Sequence, residues 1–126
     1  MIKDQKNDLK VVQTIIPQTS DDDIDGAEVD VLGFEACTLE VVCGAGTVGT
    51  VKIQESDTSG SGFADVAADE IIGTQDVAVV ASDVVTIGYV GIKRYVRAVF
   101  TEGTSGPIAA VFALGCPHVA KTGANS

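Results

Sequence analysis

Apolar and polar residues alternate along much of this chain with a period of two, the signature of strands buried on one face. In "ACTLEVVCG" (36–44) Cys37, Leu39, Val41 and Cys43 point one way, with Thr38 and Glu40 opposite. The next run repeats the pattern, with Val51 and Ile53 inward and Thr50, Lys52 and Gln54 outward. The glycine-rich "GAGTVG" (44–49) between them suits a hairpin. Upstream, "LKVVQTII" (9–16) predicts a strand closed by Pro17, and "QTSDDDIDGAE" (18–28) an acidic loop.

Downstream, "ESDTSGSG" (55–62) reads as a long polar loop. The short runs "FADVAADEIIG", "DVAVVAS" and "DVVTIGYVG" follow, with a helical turn expected at 64–70, where Ala, Asp and Glu predominate. "KRYVRAVFT" (93–101) and "PIAAVFALG" (107–115) are two further strands linked by the turn-rich "EGTSG". Eight or nine short strands separated by turn signals, with no regular 10–15-residue helices, predict an all-β fold. The expected architecture is an antiparallel β-sandwich, jelly-roll-like, over 9–116. A short polar N-terminal arm (1–8) and a loosely held tail (117–126) are expected to flank it.

Composition supports the class. The 126 residues suit one domain that buries about two-thirds of its unfolded surface. The apolar fraction of 45% is that of a folded protein, and 14 glycines with abundant β-branched residues favour strands and tight turns. Eighteen acidic against eight basic residues argue against nucleic acid as a ligand, because affinity for phosphates comes from cations. The same excess excludes a simple anionic-membrane binder. The start is polar, without a secretion-signal pattern, and no apolar run approaches a membrane span. Cys37 and Cys43 lie on one strand about 20 Å apart, too far for a bridge. Reduced, buried thiols made in a cytoplasm are expected.

Candidate chemistry is sparse. Asp21, Asp23, Asp25 and Gly26 match the opening of a calcium loop, but the position for a bidentate Glu is Leu32, so a solvated acidic turn is expected. His118, the only histidine, follows Cys116 and Pro117 without zinc-ligand spacing or a recognisable orienting group. Glu40 and Glu55 could be imagined as an acid–base pair, yet nothing predicts the apolar pocket that would separate their pKa values. Gly44, Gly46 and Gly49 precede no helix and lack a P-loop lysine. These readings predict no catalytic residues, metal or cofactor.

Two features point instead to contact with other chains. In 93–101, alternation places Lys93, Tyr95, Arg97, Val99 and Thr101 on one face, opposite Arg94, Val96, Ala98 and Phe100. Arg97 with Tyr95 has the composition of a protein interface. Alternatively, Lys93 and Arg97 pair with acids on a neighbouring strand, and Arg94 reaches a carboxylate at the rim. In "IAAVFALG" (108–115) both faces are apolar: Ile108, Ala110, Phe112 and Leu114 on one, Ala109, Val111 and Ala113 on the other. That predicts either cover from another chain or a central strand shielded by the tail. The candidate contact residues are Lys93, Tyr95, Arg97, Ala109, Val111 and Ala113.

The strings "VKIQESDTSGSGFADV" (51–66) and "IGYVGIKRYVRAVFTEGT" (87–104) resemble small structural proteins of tailed bacteriophages and prophages, typically encoded near the major capsid protein. The resemblance covers roughly half of the chain. It implies a virion component made in the host bacterial cytoplasm. Within that group, cement or decoration proteins bind the outer capsid surface and tie subunits together. The implied partners are the major capsid protein and further copies of this chain, as a dimer or trimer. A tail or head–tail joining protein is the alternative. A carbohydrate-binding module is a third reading, which the absence of Trp disfavours.

Overall fold

Two antiparallel sheets enclose the residues that alternation assigns to the interior. The computed structural model describes residues 9–79 and 82–117, the last two through their backbone alone. The expected arm at 1–8 and His118 with the rest of the tail lie outside the described residues. The strands are β1 (Lys10–Thr19), β2 (Ile24–Asp25), β3 (Val29–Asp30), β4 (Phe34–Cys43), β5 (Val48–Ser56), β6 (Ala64–Asp65), β7 (Ile71–Ile72), β8 (Val77–Val79), β9 (Val84–Tyr89), β10 (Tyr95–Thr104) and β11 (Pro107–Pro117). In place of the helical turn expected at 64–70 there is β6 and one 3-10 turn, Ala68–Glu70.

One sheet has the order β1-β11-β4-β9-β7. The other runs β2-β10-β5-β6, with β3 also on β10 and β8 also on β5. The all-β, antiparallel sandwich read from the sequence is therefore the fold. The chain changes sheet at almost every connection, which corrects one expectation. "GAGTVG" does not close a hairpin: β4 pairs with β11 and β9, whereas β5 pairs with β10, β6 and β8. The segment carries the chain across the sandwich edge, where the Thr47 hydroxyl donates to the Pro107 carbonyl at 2.7 Å.

Pro17 supplies a second correction, because β1 continues through it to Thr19. It lies on an edge strand, inside the register shift between Ile15 and Gln18, where it has no partner in the ladder and its missing N–H costs no bond. The acidic stretch is likewise no plain loop. It contributes β2 and leads directly into β3, and both pair with β10 in the second sheet.

The core follows the alternation. Leu39, Val41, Ile87, Phe112 and Leu114 from the first sheet meet Val51, Ile53, Val96, Ala98 and Phe100 from the second, all fully buried. Each large side chain so placed contributes about 1.5–3 kcal/mol. Cys37 and Cys43 are buried and unbridged. Burial pushes the Cys37 thiol up to about 12, and burial with the nearby Asp83 charge also raises Cys43.

Thr14 ties the sheets together. Its hydroxyl donates to the Ala27 carbonyl at 2.7 Å and accepts from the Ala98 amide at 3.2 Å. Gly26 lies against this junction, where a Cβ would collide with the Thr14 hydroxyl and the Thr14 and Ala98 carbonyls. Close backbone approach, not a calcium turn, is what that glycine serves.

Candidate interaction surface

The sandwich presents two outer faces of opposite character. On the second sheet the outward positions of β10 and β5 carry a polar network. Arg97 Nε and Nη2 both donate to Gln54 Oε1, at 3.0 and 2.7 Å, and its guanidinium lies 4.5 Å from the Phe63 ring centroid. Gln54 Nε2 passes the chain on to Asp65 Oδ1 at 2.9 Å, and Lys52 Nζ reaches the same carboxylate at 3.0 Å. The Gln54 and Lys52 hydrogen bonds hold the Asp65 carboxyl below its usual range.

The same self-pairing extends to the end of the sheet. Arg94 binds Asp30 through two parallel bonds of 3.0 and 2.8 Å, which lower the Asp30 pKa. Its guanidinium also lies 5.1 Å from the Tyr95 ring centroid. Lys93 Nζ donates to Asp57 at 2.7 Å. Lys93, Arg94 and Arg97 thus all have intramolecular partners, an acid for Lys93 and Arg94 and the Gln54 amide with the Phe63 ring for Arg97.

Glu55 and Glu40 are not a pair. Glu55 sits at the rim, where Oε1 accepts from the Tyr89 hydroxyl at 2.7 Å, while Glu40 projects from the other sheet. The Tyr89 oxygen accepts in turn from the Lys93 amide at 3.0 Å, and burial followed by the Glu55 bond raises its pKa. Asp23, in the acidic stretch, accepts from the Glu102 amide at 2.8 Å. Among the described residues no group of three or more His, Cys, Asp or Glu is placed to hold a metal ion.

The outer face of the first sheet is built differently. Register aligns Val11, Ala113, Thr38, Gly88 and Ile72 in one row across the five strands. The next row holds Gln13, Val111, Glu40 and Thr86, and a third holds Ala109, Val42 and Val84. Val11, Val42 and Val84 are 62, 52 and 56% exposed. Ala109, Val111 and Ala113 are half-buried between neighbouring strands, because β11 lies centrally between β1 and β4. The residues singled out from the doubly apolar strand therefore do face outward. Sequence reading missed their neighbours Val11, Val42 and Val84, whose signal was a β-branched residue at an outward position.

At one end of this face β1 shifts register around Pro17, opening an apolar groove of about 340 Å³ bordered by Pro17, Val42, Pro107 and Ala109. A second cleft, of about 450 Å³, lies at an end of the sandwich between segments 31–35 and 91–94. Beside it Leu32 and Ile92 project, the latter 90% exposed.

Among the described residues no helix is long and apolar enough to cross a membrane. No protein-family model matches the chain, and neither a curated protein nor a solved structure is significantly similar to it.

Proposed function

We propose that this chain is a non-enzymatic structural subunit of a phage virion, a cement or decoration protein that binds the outer surface of the head. The observation that carries this reading is the outer face of the first sheet, where exposed Val11, Val42 and Val84 and half-buried Ala109, Val111 and Ala113 put apolar side chains at outward positions. A sandwich needs only its inner faces to fold, so an apolar outer face of this extent suits contact with another chain. The resemblance of 51–66 and 87–104 to phage structural proteins names the class of that chain. Those strings supply most of β5, β6 and β10 of the second sheet and the C-terminal end of β9 of the first, and the apolar outer face of the first sheet lies mostly outside them.

Two further features support the reading. Two of the described side chains capable of chemistry are structurally engaged: Tyr89 binds Glu55, and Cys37 is buried with its thiol pKa raised. The strand order β1-β11-β4-β9 in one sheet and β2-β10-β5 in the other supports reading the sandwich as jelly-roll-like, a rigid wiring suited to a shell component. Weak contacts repeated by shell symmetry would then add to a strong hold on the particle.

Counting and placing the chain on purified particles by cryo-electron microscopy tests the proposal. Hundreds of copies on the head, and lower thermal and osmotic stability of heads lacking them, are the expected result. Six or twelve copies at the neck would move the subunit to the tail joint, and particles without the chain would overturn the reading.

A further inference from the structure

The geometry points to the chemistry of the docking partner: an apolar protein surface carrying a lysine or arginine that meets Glu40. This inference rests on the virion reading, under which that surface belongs to the shell subunit.

Glu40 is the one charged residue in the three aligned rows of the outer face. It stands in the middle row between Val111 and Thr86, with Thr38 and Val42 as its neighbours on the same face of β4. Among the described residues no hydrogen bond or ion pair engages its carboxylate, whereas Asp30, Asp57 and Asp65 on the other side of the molecule are each paired with a cation. The outer face thus combines two largely apolar rows flanking a mixed one, a groove at one end and a single unpaired anion near its centre.

That combination discriminates among occupants. A second copy packed centrally on this face would bring two outer faces within about 10 Å and drive two carboxylates into an apolar contact. Neither would find a cation in the opposing rows. A partner that places Lys or Arg opposite Glu40 converts the same carboxylate into a charge-assisted bond. The charge of the whole chain, −10, acts in the same direction, because it steers a basic surface inward and repels another copy. Glu40 is therefore a specificity-determining residue: unpaired, it keeps identical faces apart, and paired, it fixes the register of docking.

The test uses shells purified from the encoding phage without this chain, incubated with the full-length protein and co-sedimented at low and high salt. Glu40→Gln is expected to weaken binding about tenfold and to flatten its salt dependence, and Glu40→Lys to weaken it by about a hundredfold or more. Glu40→Asp should fall between wild type and Glu40→Gln, with unchanged circular dichroism in all variants. Wild-type binding matched by Glu40→Lys would overturn this inference while leaving the virion reading intact. A wild-type dimer in sedimentation equilibrium that Val111→Arg splits would also overturn it, giving the face to a second copy. Failure of the wild type to bind any shell would instead remove the virion reading and this inference with it.

Discussion

The two outer faces differ in how each treats its polar groups, although both are made by antiparallel strands. On β10 and β5 every outward cation has an acid or amide within the molecule, so that face is complete in the free chain. On β11, β4 and β9 the outward positions are Val, Ala, Thr and Gly with one unpaired carboxylate, so that face carries no comparable network of its own. The cations cluster on one strand because β10 runs beside two acid-bearing segments, β3 and β5–β6. Local charge balance engages Lys93 and Arg94, and Arg97 is held by the Gln54 amide and the Phe63 ring.

That contrast can be attacked at its strongest point first. Val111→Arg puts a bulky cation on the central strand of the apolar face, and shell association should fall by about a hundredfold or more. The thermal midpoint should move by only about 2 °C, since the substituted side chain is outward. Pull-down and differential scanning calorimetry on the same preparation measure both quantities.

The interior behind the apolar face should respond to alkali. The folded-state pKa of Cys37 is raised from 9.0 to about 12, so its contribution is fully present below pH 9 and lost as pH rises through about 12. Stability should fall by up to about 1.4 kcal/mol per pH unit across that window, and Cys37→Ala should flatten the slope. Urea titrations between pH 8 and 11 provide the check.

A smaller effect is expected at the polar face. Arg97→Ala removes two bonds to Gln54 and the contact with Phe63, which should cost about 1–2 kcal/mol in urea denaturation while shell binding stays unchanged.

The smallest effect lies with Asp30. Its pKa is lowered by Arg94, so its stabilisation is present above 3.8 and lost as pH falls through the lower folded value. Solvent and salt screen the pair, and Asp30→Asn should reduce the acid sensitivity of the midpoint by only about a degree.

Period-two patterning made the faces legible but not the neighbours. Cys37, Leu39, Val41 and Cys43 were readable as interior because alternation depends only on the strand itself. The partner of a strand depends on where distant segments lie, so "GAGTVG" resembled a hairpin while in fact joining two sheets. Pro17 misled for a related reason, since only an edge position makes a proline harmless within a strand. The outward set Ala109, Val111 and Ala113 could be read from one strand, whereas the importance of Glu40 emerged only when register laid it among Val42, Val84 and Val111. Ile92 carried no periodic signal, because it sits in a connection between strands.

Insertion of the last strand between the first and fourth has a bearing on synthesis. The ribosome must release β11 before β1 and β4 can be joined, so this sheet closes only after residue 117 has emerged. Until then two long backbone edges await a late arrival, and folding intermediates rather than the folded chain are the species most in need of chaperone protection.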